Sequence, residues 1–172
     1  MLSLGAAAFV LPHKEPLATF EVNLKPLEGA VQDPNTMSWW SRFPEAWEHA
    51  TSNPVDPGEG IPAFAQWARE LRDLSPGGTP VLVTYPTWDY MWVQWYLMRF
   101  EGQTPFGIGS LDIKTLAMAT LKKLRFRETS KRRMPRHWFD GCGKHTHCAL
   151  EDAVEQGILF TNIMNDLLGG VE

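Results

Sequence analysis

A chain of 172 residues, 44% hydrophobic and 21% charged, is one ordinary domain, 1–172, too apolar to be disordered and long enough to bury a core. No apolar run approaches the roughly 18 residues of a membrane span, and Cys142 and Cys148 alone make no disulfide framework, so a reducing cytoplasm and no membrane are expected. The net charge of −4 speaks against a nucleic-acid partner only until its distribution is read: residues 122–144 hold nine Lys and Arg against Glu128 and Asp140, while the remainder carries −11.

Residues 2–11 and 18–24 read as two strands around the Pro12–Pro16 turn, the first as a buried strand rather than a signal peptide, because no basic region precedes it and no cleavage site follows. The second alternates, with Phe20, Val22 and Leu24 on one face and Thr19, Glu21 and Asn23 on the other. Asp33-Pro34 starts a short tryptophan-rich helical region with Trp39, Trp40 and Trp47. Ile61, Phe64, Ala65, Ala68 and Leu71 have helical spacing and predict a helix over 61–74, stopped by Ser75-Pro76-Gly77-Gly78. Pro80 to Thr84 is a compact apolar run between breakers, which predicts a buried strand. The turn Tyr85 to Asp89 leaves it, and an aromatic helix follows over 90–100, with Trp92 and Trp95 expected in the core. A helical stretch over 111–121 opens on Asp112, the basic segment after it is irregular, and a last helix runs from about Cys148 to about Leu168. Strands followed by helix–strand–helix alternation indicate an α/β layer fold.

Two spots carry chemistry. His147 and Asp152 lie five apart on the last amphipathic segment, a spacing suited to a general base and a metal-binding carboxylate. Asp89 lies just past a strand's C-terminal end at the start of a helix, where α/β folds place site residues. An aspartate there is more often a helix cap than a ligand; the presence of His147 and Asp152 favours the ligand reading. Cys142, His145, His147 and Cys148 as a zinc set fit no common pattern, since ligands at adjacent positions 147 and 148 splay apart. His145 is read as flanking the site.

These residues resemble the DEDDh 3'-5' exonucleases, which have an RNase H-like fold. His147-Cys148-Ala149-Leu150-Glu151-Asp152-Ala153 matches the family's His-x-Ala-x-x-Asp-Ala motif, and Val81 to Asp89 matches its strand–turn–aspartate motif, with Tyr85-Pro86 standing where the family usually has asparagine. The resemblance spans essentially the whole chain. It implies a mixed sheet flanked by helices, His147 as the base, Asp89 and Asp152 as ligands to Mg²⁺ or Mn²⁺, two ions in a complete site, and hydrolysis at the 3' end of single-stranded or 3'-terminal DNA or RNA. The family's first motif, Asp-x-Glu, has no counterpart: no aspartate here has a glutamate two positions later. The chain is therefore expected to begin after the family's first, central strand, to leave strand edges unpaired in a way that allows a homodimer, and to be inactive or nearly so by itself. The competing expectation is a non-catalytic nucleic-acid-binding or assembly module that has lost this motif. Trp88, Lys131, Arg132, Arg133 and Lys144 are the expected nucleic-acid contacts.

Overall fold

The computed structural model describes residues 1–74 and 78–169; the expected helix stop at 75–77 lies outside them. β1 (Ser3–Ala8) and β2 (Ala18–Asn23) pair antiparallel, with Ser3 opposite Asn23 and Ala8 opposite Ala18. α1 (Pro34–Trp40) begins where predicted: Asp33 caps it, its Oδ1 accepting the Thr36 N–H at 2.8 Å. α2 (Pro44–Thr51) and α3 (Pro57–Leu74) follow. α3 starts four residues before the apolar repeat does, because the Asp56 side chain takes the Gly58 N–H and its carbonyl takes those of Glu59 and Gly60.

β3 (Leu82–Thr84) leads into α4 (Thr87–Phe100). The stretch read as one helix from Leu111 is split: β4 (Ser110–Asp112) pairs in parallel with β3, and α5 (Ile113–Thr120) begins after it. Asp112 serves as its N-cap, accepting from Thr115 at 2.7 Å. The basic segment runs through three short 3₁₀ turns into α6 (Ala149–Leu167). No helix among the described residues is long and apolar enough to cross a membrane.

The fold is α/β, but among the described residues the strands form two separate two-stranded sheets instead of one mixed sheet. A cavity of about 740 Å³ lies between them, bordered by residues from Ser3 to Leu11 on one side and Pro80 to Thr84 on the other. This corrects the expectation of a buried third strand. Val81 is 57% exposed and Leu82 and Val83 are only half-buried, because the run pairs with β4 alone.

Two apolar clusters hold the elements. Leu4 and Leu24 pack with α3 (Ile61, Phe64) and α4 (Tyr96, Leu97) in one; Ile113, Trp138, Leu159 and Ile163 form the other around α6. α4 turns Tyr96 and Leu97 inward, with Val93 and Phe100 beside them. Trp88, Trp92 and Trp95 then share the opposite stripe, three to four residues apart. Trp92 and Trp95 are 40% and 43% exposed, so the expectation that they are core is wrong: the helix has two aromatic faces and composition does not say which one is buried.

β1 meets α6 without intervening side chains. A β-carbon on Gly5 would collide with the backbone of Ala149 and Leu150, and one on Gly157 would collide with the Phe9 ring. The small residues of β1 are thus what lets the N-terminal end of α6 settle on the first sheet.

Candidate active site

α6 begins at the chemistry. Cys148 is its N-cap without a side-chain hydrogen bond; the Thr146 hydroxyl braces the entry instead, accepting the Cys148 N–H at 3.3 Å and donating to Glu151 at 2.6 Å. His147 sits between them with φ at 65°, the left-handed region that costs a non-glycine residue about 1–2 kcal/mol. Surrounding contacts hold it there. Its ring lies 4.8 Å from Trp39, 4.2 Å from Phe43 and 4.3 Å from His145, centroid to centroid. Burial, and then the neighbouring His145, hold its pKa below the ordinary histidine value against the opposing pull of Asp152. At pH 7 the imidazole is therefore neutral and able to accept a proton.

Asp152, one turn into α6, faces the same space. Its Oδ1 is buried and lies 3.0 Å from His145 Nδ1, but without hydrogen-bond alignment, because that nitrogen is directed to Glu155 Oε2 at 2.8 Å. Burial raises the Asp152 pKa, with both histidines opposing and Glu155 adding to the rise. Glu155, 8% exposed, is also paired with Lys131 at 2.9 Å. Burial works against its charge, but the Lys131 and His145 hydrogen bonds prevail and its pKa ends below the usual range. Lys131 in turn gives its backbone N–H to the Tyr85 hydroxyl at 3.1 Å, and the Tyr85 N–H donates to Gln156 Oε1 at 2.9 Å. The β3–α4 turn is tied to α6 directly by the second bond and, through Lys131 and its Glu155 partner, by the first.

That tie sets Asp89, in the first turn of α4, into the wall of the cavity that Asp152 also lines. The residue as a whole is exposed, yet its carboxyl loses enough water, and is near enough to Asp152, to have its pKa pushed up to about 6. A helix N-terminus would pull the value down, so desolvation and the like charge outweigh it. Two carboxylates that both resist ionisation, one with a buried oxygen lacking an aligned donor, suit a divalent cation.

The folded state holds the Asp89 proton more tightly than the unfolded chain does. The stability contributed by that proton is complete below about pH 4 and is lost as pH rises through about 6. Denaturant unfolding across this window is expected to show a decline that is shallower in Asp89→Asn, with the two curves separating most above pH 6.

The structure thus places His147 and Asp152 together, and Asp89 lines the same cavity as Asp152. The group with donor atoms all within 4.8 Å of one another is His145, His147 and Asp152, without Asp89. Of the expected nucleic-acid contacts, Lys131 is spent on Glu155, whereas Arg132, Arg133 and Lys144 are exposed. Trp88 is 62% exposed and meets Trp92 edge-on at 6.2 Å. Neither cysteine belongs to the group of His145, His147 and Asp152; both thiols are free, and burial raises the Cys142 thiol to a pKa of about 11. Sequence reasoning missed His145, Glu155, Trp39 and Phe43. The i, i+3 spacing of Asp152 and Glu155 was a signal for the second of these; the aromatic pair on His147 arises from tertiary contact alone.

No family profile matches the chain. The 3'-5' DNA exonuclease Cap18 of Escherichia coli is 28% identical to it over 166 residues, which span 93% of this chain and 80% of that protein. This likeness supports a 3'-5' exonuclease family.

Proposed function

We propose that this chain carries the base-and-ligand half of a metal-dependent 3'-5' exonuclease site, acting on the 3' end of single-stranded DNA. The observation that carries the reading is a neutral, caged His147 with a ring nitrogen within 4.8 Å of an Asp152 carboxylate oxygen, Asp152 in turn lining one cavity with Asp89. Nuclease chemistry at phosphate needs those groups: a base for the attacking water and carboxylates for hard cations. Mg²⁺ or Mn²⁺ bound by Asp89 and Asp152 would supply charge stabilisation at the scissile phosphate. His147 accepts the proton of the attacking water, and its Trp39 and Phe43 contacts keep the ring oriented toward Asp152. Asp152 orients and partly balances the imidazolium that results. Arg132 borders an open hollow beside His145 and Glu155, next to the site, and with Arg133 and Lys144 gives the strand's phosphates a path to it. Trp88, beside Asp89, offers the terminal base a stacking face.

The relative named a DNA exonuclease favours DNA over RNA as substrate, and two free cysteines accord with a reducing cytoplasm. Within these 172 residues no Asp-x-Glu adds carboxylates to the set, so the polypeptide by itself turns over only slowly. Incubation of the purified chain with 5'-labelled single-stranded DNA tests both halves. With Mg²⁺ the strand is expected to stay intact over ordinary assay times; rapid Mg²⁺-dependent digestion would overturn the low activity. With Mn²⁺ and long incubation, residual cleavage is expected to shorten the strand one nucleotide at a time from its 3' end. Internal cuts would overturn the exonuclease, and metal-independent binding with no cleavage at all would indicate the non-catalytic module instead.

A further inference from the structure

The donors that stand closest together do not suit the hard ions of that proposed chemistry. His145, His147 and Asp152 offer one ligand atom each, all within 4.8 Å of one another, and two of the three are imidazoles. Mg²⁺ prefers an all-oxygen shell and keeps its water, whereas imidazole nitrogen suits zinc and its first-row neighbours. A tetrahedral ion with bonds of about 2.0–2.1 Å holds its donors roughly 3.4 Å apart, so the triad needs to draw in by little more than an ångström.

What surrounds the triad is also arranged as around such an ion. A metal-bound histidine commonly donates its other ring nitrogen to a carboxylate, which fixes the ring and raises its basicity. His145 Nδ1 lies 2.8 Å from Glu155 Oε2 and 3.0 Å from Asp152 Oδ1, so Glu155 holds the ring against the other donors. Glu155 is itself more than nine-tenths buried and held by Lys131 at 2.9 Å. His147 is steadied by Trp39 and Phe43, and Asp152 presents a buried oxygen with no aligned donor. Three ligands from one short stretch of chain leave the fourth position of a tetrahedron open to water or a phosphate oxygen.

We propose that His145, His147 and Asp152 form a binding site for one late first-row divalent ion, zinc by preference, with Glu155 and Lys131 as its supporting pair. Zinc here takes His147 and Asp152 out of the Mg²⁺-dependent arrangement. The site is thus a switch by which zinc silences the exonuclease chemistry, and this second consequence rests on the proposed function. The ligand set itself does not, because it is read from the donors alone.

Titration of the metal-free chain with Co²⁺ reads the site without any substrate. One equivalent is expected to give visible absorption of a four- or five-coordinate nitrogen–oxygen ion, without the sulfur-to-metal charge-transfer band of a thiolate ligand, and stoichiometric Zn²⁺ should bleach it. Circular dichroism confirms that each variant is folded. His145→Ala, whose side chain is the most exposed of the three, should weaken Zn²⁺ about 100-fold, as should Asp152→Asn; Cys142→Ser and Cys148→Ser should leave it unchanged. Absence of a one-to-one complex overturns the site, as does Zn²⁺ affinity that survives His145→Ala or falls in either cysteine variant. The switch is read separately, in the slow Mn²⁺-dependent cleavage: an equivalent of Zn²⁺ should stop it in the wild-type chain. If the spectra appear and no cleavage exists to be inhibited, the metal site stands and the exonuclease reading fails.

Discussion

Gly5→Ala is expected to destabilise the protein by about 3 kcal/mol, at the upper end of what one added methyl costs in a packed interior. The added carbon would meet the Ala149 and Leu150 backbone, not a side-chain tip that could rotate away. Relief requires β1 or the start of α6 to move, and α6 starts at the site: His147 lies two residues before Ala149 and Asp152 three after it. The same substitution should therefore lower divalent-metal affinity even in molecules that remain folded. Chemical denaturation gives the first effect and calorimetric Mn²⁺ titration the second. A variant of wild-type stability would show that the contact between β1 and α6 is looser than the structure has it. Gly157 faces the Phe9 ring, which can swing aside, so alanine there should cost less.

Asp152→Asn should do the reverse, sparing the fold and removing the function. Burial already pushes the Asp152 pKa up, so an amide in its place has less to lose on desolvation, and unfolding stability at pH 7 should be equal to the wild type or slightly higher. Mn²⁺ affinity should fall by at least about 100-fold, the most that removing a residue merely supporting a ligand costs. Any residual cleavage should disappear with it. Retained Mn²⁺ affinity in a folded Asp152→Asn chain would remove Asp152 from the ligand set and leave Asp89 to be tested alone.

Local signals that compete with nothing were legible in the sequence. The Asp33 cap, the alternation of β2 and the apolar repeat of α3 each follow from residues within a few positions of one another, and each element forms there, α3 with one extra turn at its start. The His147–Asp152 spacing belongs to the same class, because one helix end carries both. Elements decided by distant partners were not legible. Ser110-Leu111-Asp112 has no strand pattern and becomes β4 only because β3 lies alongside. The tryptophans of α4 could occupy either face; the choice is made by Tyr96 and Leu97 packing against Phe64 and Leu4, residues far away in sequence. His145 has no spacing of its own to recommend it, and its meaning comes from Glu155, whose meaning comes from Lys131.

The seating of Gly5 against Ala149 also orders events in time. Bringing together residues so distant along the chain closes a loop whose entropy cost is roughly 4 kcal/mol, incurred before any contact rewards it. Helices such as α3 and α4, whose contacts are nearer in sequence, can form and dock first. The hairpin docks late in folding, and an opening that merely lifts it from α6 removes the support beneath the helix end that carries His147 and Asp152 while most of the molecule stays native. Loss of metal binding should then precede loss of helical signal as denaturant is raised, giving the protein a functional lifetime shorter than its structural one.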